Sequence, residues 1–298
     1  MKPLVGYLRM MEHQGLNPVM YKWSYVTYSD ETNGKKAEKC EATEHDSESY
    51  VNDWVGKTIK FSSSGKIRCI NCGRPTKKSF GQGACYVCFT TKAENDMCIL
   101  KPETCHFHKG TCREPEWGTK NCFKKHTVYF ANSSGIKVGI TKENPVSNRW
   151  VDQGARFGIP ILEVNSRYAA GVIEHYLSKF LPDKTSWQKL VQGDPPDHNL
   201  VKEKEKFLKH LTLREFTLES DSGKSKPLLW QMEDSKEVIE ISYPIASYPK
   251  KVKSLKLSET ESIEDKLVGV KGQYLLFENG VINVRSYGGY QFQLEIKE

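Results

Sequence analysis

No apolar run in this 298-residue sequence approaches the roughly 18 to 20 residues a membrane-spanning helix needs; Tyr274–Phe277 is typical of the longest. The opening Met-Lys-Pro-Leu-Val-Gly-Tyr-Leu-Arg is broken at Pro3, Gly6 and Arg9 and lacks the apolar centre of a secretory leader. Membrane insertion and secretion are therefore not expected, and a cytoplasmic location is. Nucleotide-binding loops are also missing: neither G-x4-G-K-[ST] nor G-x-G-x2-G after a strand occurs. There is no internal repeat. Residues 29–49 hold almost no apolar side chain and read as an exposed loop. Apart from Cys40, no cysteine lies outside residues 69–122.

What is present is concentrated in the middle of the chain. Residues 60–126 carry 13 basic and 5 acidic side chains, and residues 127–190 carry 8 and 5, so all of the positive excess behind the net +7 lies in these two stretches. A basic middle between slightly acidic ends suggests a polyanion partner such as nucleic acid, with a solvated basic surface as the plainer alternative.

Eight cysteines lie in the same region. With no leader to carry the chain to an oxidising compartment, metal binding explains them better than disulfides. Cys69-x2-Cys72-x12-Cys85-x2-Cys88 is the strongest signal in the sequence. Each C-x2-C turn can present two thiolates to one tetrahedral zinc ion, and four thiolates leave no open position, so this ion would hold structure. Cys98, Cys105, Cys112 and Cys122 form a less regular group with His106, His108 and His126 interspersed. Four thiolates are again the simplest closed set for a second zinc. A histidine replacing one of them, or buried cysteines with surface histidines, remain open. The basic residues Arg74, Lys77, Lys78, Arg113, Lys124 and Lys125 border these groups and are candidates for phosphate contact.

Strand-like stretches occur at Leu4–Met10 and Val19–Thr27, and Lys57–Phe61 and Lys66–Cys69 read as a hairpin around Ser-Ser-Ser-Gly. After His126 the pattern becomes β, β, α, β, α. Thr127–Ala131 and Ile136–Ile140 flank the turn Asn132-Ser-Ser-Gly135, and Pro145 opens a short helix over Val146–Gln153. Ile159–Val164 follows as a strand, and from Ser166 to about Phe180 apolar residues recur at helical spacing. Asp194-Pro-Pro-Asp197 suggests a boundary. Beyond it come a charged helix near Val201–Leu211 and a meander of Leu267–Phe277, Val281–Arg285 and Tyr290–Ile296. Asp183-Lys-Thr-Ser-Trp187 reads as a capping turn.

The β-β-α-β-α stretch resembles the GIY-YIG nuclease superfamily over roughly residues 126–190, through Thr127-Val-Tyr129, Lys137-Val-Gly139, Arg149 and Glu174. That resemblance implies a catalytic set of Tyr129, Lys137, Arg149 and Glu174. Glu174 would hold a catalytic Mg2+ or Mn2+, Arg149 would contact the charge developing at phosphorus, and Tyr129 would orient water or act as base. Lys137 departs from the pattern, standing where the superfamily usually has tyrosine. Taken singly, Tyr129 can also be a core aromatic and Arg149, Glu174 and Lys137 surface charges. The whole layout is also similar to an uncharacterised bacterial family of unknown function, through Gly110-Thr-Cys-Arg-Glu-Pro115, Lys137-Val-Gly-Ile-Thr141 and Arg149-Trp-Val-Asp-Gln-Gly-Ala155.

These readings give an α+β protein: a β-rich N-terminal region (1–66), a zinc-ribbon-like cysteine module (67–126), a small GIY-YIG-like α/β core (127–192), and a C-terminal helix and β-meander (193–298). The strand-rich ends can pair into one unit. The function expected is divalent-metal-dependent hydrolysis of nucleic-acid phosphodiesters, DNA before RNA. The rivals are a non-catalytic nucleic-acid-binding protein and a zinc-stiffened interaction scaffold.

Overall fold

The computed structural model describes residues 2–29, 42–142, 145–181, 186–212, 216–219, 225–257 and 262–297. Cys40 and most of the turn read at Asp183–Trp187 lie outside the described residues. Among the described residues no helix is long and apolar enough to cross a membrane. The chain forms an α+β fold with strand-rich ends, divided into two compact units. The first comprises residues 1–90, 191–193 and 242–298, and the second residues 91–190 and 194–241.

Strands β1 (Leu4–Leu8), β2 (Glu12–Gln14), β3 (Met20–Lys22), β4 (Ser24–Tyr28), β5 (Ala42–Asp46), β6 (Thr58–Arg68) and β7 (Pro75–Thr76) lead into helix α1 (Tyr86–Thr91). The second unit contributes helices α2 (Met97–Leu100) and α3 (Pro115–Cys122), strands β8 (His126–Asn132) and β9 (Ile136–Thr141), helix α4 (Ser147–Asp152), strand β10 (Phe157–Val164) and helix α5 (Arg167–Ser178). Helices α6 (Trp187–Leu190) and α7 (Leu200–Thr212) follow, with short strands β11 (Thr217–Glu219), β12 (Ser225–Pro227), β13 (Trp230–Met232) and β14 (Ile239–Glu240). Strands β15 (Ile263–Lys271), β16 (Tyr274–Phe277), β17 (Gly280–Asn283) and β18 (Tyr290–Lys297) close the chain.

The two ends of the chain pair in the first unit. Its sheet runs β17-β16-β15-β6-β18-β1-β4-β5, with β7 also paired to β6. Trp23 packs inside it against Trp54, Phe61 and Phe292, with ring centroids 5.6 to 6.1 Å apart. Three sequence expectations are corrected here. The hairpin read across Ser-Ser-Ser-Gly is the single strand β6, because Ser62 and Ser63 pair with Gln293 and Phe292 of β18 and the Ser63 hydroxyl donates to the Gln291 carbonyl at 2.9 Å. Part of the loop read at 29–49 is β5, an edge strand whose mostly exposed side chains carry no apolar alternation. The final strand leaves the meander and inserts between β6 and β1, while β15 and β16 turn at Gly272, whose φ of 60° favours glycine.

In the second unit β8, β9 and β10 form an antiparallel sheet, extended by β13 and β14 on β10. Asn132-Ser-Ser-Gly135 is its hairpin turn. Ser166 caps α5 by accepting from the Ala169 N–H at 3.1 Å. Ala169, Ala170, Ile173 and Leu177 of α5 and Leu200, Phe207 and Leu211 of α7 pack against Val128 and Phe130. Helix α7, which lies beyond the boundary read at residue 192, completes the core of this unit. Residues 67–126, read as one module, divide between the units: β6 carries Cys69 into the first sheet, whereas the second cysteine group packs on α5.

Candidate active site and metal centres

In the first unit, β6 ends where Cys69 begins. The chain turns through Cys69–Cys72, pairs back as β7, and presents Cys85 and Cys88 at the start of α1. The ligand atoms of Cys69, Cys72, Cys85 and Cys88 all lie within 4.8 Å of one another, so this group can hold a zinc ion. Backbone N–H groups are already turned toward the sulfurs: Cys85 N–H donates to Cys69 Sγ at 3.1 Å and Cys88 N–H to Cys85 Sγ at 3.5 Å. Burial works against ionisation of Cys72, yet hydrogen bonds from the Arg74 backbone and side chain bring its thiol down to about 7. Arg74, a candidate for phosphate contact, thus lies beside a thiol of the cluster.

The second cysteine group lines a small cavity with Asp96, His106 and Arg113. Here the atoms that meet within 4.8 Å belong to Asp96, Cys98 and His106. Asp96 caps α2 by accepting from the Cys98 N–H at 3.2 Å, and its other oxygen lies 2.7 Å from Arg113 Nε. Of the other basic candidates, Lys125 pairs with Glu163, and Lys78 lies 5.3 Å from the centre of the Phe80 ring. Lys77, Lys78 and Lys124 are exposed.

Tyr129 lies at the middle of β8, opposite Gly139 of β9. Its ring packs edge-on against Trp150 of α4, at 5.8 Å, and lies over Gly139, where a Cβ would sit 2.6 Å from the phenol oxygen. Gly139→Ala should displace the ring at a cost of about 1–3 kcal/mol, read as a lower thermal midpoint with altered near-ultraviolet dichroism. The Tyr129 hydroxyl donates to Gln153 Oε1 at 3.2 Å and also bonds Arg149; burial pushes the phenol well above its ordinary value.

Glu174 acts electrostatically on the same tyrosine. Burial pushes its carboxyl up to about 7; Arg167 opposes the shift, Glu103 adds to it, and Arg149 opposes it. Tyr129, Arg149 and Glu174 are thus drawn into one neighbourhood, with Gln153, Arg167 and Glu103. No interaction links Lys137 to them among the described residues. It stands opposite Ala131, on the strand face of Gly139, and burial alone lowers its ammonium. Among the described residues it has no hydrogen-bond or ion-pair partner.

Two members of the neighbourhood lacked a clear sequence signal. Arg167 reads as a helix-capping or phosphate-contacting residue, and Glu103 has no signal at all, because only tertiary packing brings the 102–104 turn onto α5. A Cβ on Gly171 would lie 2.4 Å from Pro102 Cβ and 2.7 Å from Glu103 N, so turn and helix touch backbone to backbone. Gly171 one turn before Glu174 was the available clue. Arg156, between α4 and β10, pairs with Glu240 at 2.7 Å.

No curated protein and no solved structure matches this chain. A family model does, over residues 56–292, which takes in both cysteine groups, the β8–β10 sheet and helices α4 and α5. The chain belongs to that family, described as Protein of unknown function (DUF2797).

Proposed function

We propose that the protein is a cytoplasmic, zinc-containing nuclease whose second unit carries a GIY-YIG-like core and hydrolyses nucleic-acid phosphodiesters, DNA before RNA. The observation that carries this reading is the convergence of Tyr129, Arg149 and Glu174, from a strand and two helices, at one place. Arg149 would meet the charge that develops at phosphorus. Glu174, with Glu103 as a second carboxylate nearby, offers the oxygen donors a hard divalent cation takes, and such a cation would polarise the phosphate. Tyr129 is fully buried and its phenol resists ionisation, which favours an orienting role through Arg149 and Gln153 over that of a base. Zinc at Cys69, Cys72, Cys85 and Cys88, and a second zinc in the Cys98–Cys122 group, would be structural. Lys77, Lys78 and Lys124 are exposed and would contact the phosphate backbone, adding a strong salt dependence to binding.

A second reading is favoured by Lys137, which stands where the resembled superfamily usually has tyrosine and has no hydrogen-bond or ion-pair partner among the described residues: a binding protein that keeps the fold without turnover. One experiment separates them. Single- and double-stranded DNA and RNA are incubated with Mg2+ or Mn2+ and either the parent protein or Glu174→Ala. The nuclease reading expects cleavage by the parent, reduced at least about a hundredfold in the variant, with zinc content unchanged. Binding without cleavage by either protein would establish the second reading.

A further inference from the structure

Residues 91–125 are built almost without a hydrophobic core. Ala93 and Pro102 are buried and Ile99, Phe107 and Trp117 half-buried, while Met97, Leu100 and Phe123 are 59%, 79% and 48% exposed. Apolar burial of that extent does not hold a segment of this length in one conformation. What the segment does enclose is a cavity of about 20 Å³ lined by Cys98, Cys105, Cys112 and Cys122 together with His106 and Arg113. That is room for about one atom-sized sphere.

The side chains around it divide into two kinds. Asp96 is occupied on both oxygens, by the Cys98 N–H and by Arg113. His106 lies 3.5 Å from Asp96 through Nε2 and 2.8 Å from the Thr111 hydroxyl through Nδ1. Both groups lie within 4.8 Å of the Cys98 sulfur, but each is already engaged by its neighbours in the turns. Arg167 of α5 reaches the same turns. Its Nη2 donates to the Ile99 carbonyl at 2.6 Å, and its Nε is buried with no hydrogen-bond partner among the described residues. A guanidinium taken out of water requires compensating negative charge. Glu174 supplies part of it, and four thiolates around one divalent ion, with a net charge of about −2, would supply the rest.

We propose that Cys98, Cys105, Cys112 and Cys122 hold one zinc ion as a closed four-thiolate centre, and that this centre fastens residues 91–125 to α5. The seam runs along one stripe of the helix. Arg167 bonds to Ile99, Tyr168 stacks on His108 with centroids 5.8 Å apart, Gly171 receives Pro102, and His175 lies 3.7 Å from Glu103. Glu174 lies on that same side, so the fastened segment forms a wall of the candidate active site. That last consequence rests on the nuclease reading; the metal centre and its seam do not.

The test uses the full chain, with zinc and iron measured by mass spectrometry and backbone hydrogen exchange read by peptide. The parent should hold two zinc ions and no iron. Cys112→Ser should hold one, with exchange across 91–125 and the first turns of α5 faster by about tenfold or more, and protection of residues 69–90 unchanged. His106→Ala should keep both ions. A parent with one zinc, a Cys112→Ser protein that keeps two, or iron in place of the second zinc would overturn the proposal. Loss of one zinc in His106→Ala would overturn it too, by assigning the ion to the Asp96, Cys98 and His106 set. If Cys112→Ser does not fold, the parent and His106→Ala counts still decide. None of these readings depends on cleavage, so the nuclease reading can fail while this one stands.

Discussion

Replacing Cys85 by serine will release one zinc ion per chain and unfold the cysteine hairpin of the first unit. The reason lies in what else is buried there. The local core consists of Cys69, Ala84, Cys85 and Cys88, with Phe89 partly buried against it, so the sulfurs themselves are most of the interior. Structural zinc in small modules contributes on the order of 10 kcal/mol, about as much as the whole stability of an ordinary domain. The knuckle turns depend on the same sulfurs, because Cys85 N–H and Cys88 N–H donate to them. We expect a fall in thermal midpoint of about 10 °C or more, at roughly 2–4 °C per kcal/mol, together with rapid proteolysis between residues 69 and 90. Arg74→Ala, which removes only a hydrogen bond to Cys72, should keep the zinc. Unchanged zinc content in Cys85→Ser would refute the site.

Glu174→Gln will stabilise the protein at pH 8 and leave it nearly unchanged at pH 4, in the absence of added divalent cation. Burial raises the Glu174 carboxyl from 4.5 to about 7 in the folded chain. Below the unfolded value both states are protonated, and the group contributes no pH dependence. As pH rises from about 4.5 the unfolded chain gives up the proton that the folded chain keeps, and stability falls until the folded group has also ionised, near 7. At 1.36 kcal/mol per unit the full cost is about 3 kcal/mol, and glutamine, which has no charge to bury, does not incur it. Melting curves of parent and variant should therefore coincide at pH 4 and separate by roughly 6–12 °C at pH 8. Curves that stay together across the range would show that Glu174 is not the buried carboxyl described here.

Much of the candidate site was legible because its signals are local. The C-x2-C spacing specifies two-thiolate turns, and the Cys69 group folds as read. Asn132-Ser-Ser-Gly135 turns the hairpin that sets Tyr129 opposite Gly139, and Ser166 starts the helix that carries Glu174. Each of these depends on residues a few positions apart, whose backbone preferences act before any long-range contact forms.

Tertiary structure decided the rest. Ser62–Ser64 are strand and not turn because β18, from the far end of the chain, offers them partners. Glu103 joins Glu174 because the Pro102 turn fits against a glycine on α5. Arg113 and Lys125 spend their charge on Asp96 and Glu163, which a count of basic residues cannot show. The amino-acid sequence alone determined which residues can bind metal and where the local turns and helices begin. Only the folded chain decided which charges are buried together, since desolvation and ion pairing belong to contacts between segments distant in sequence.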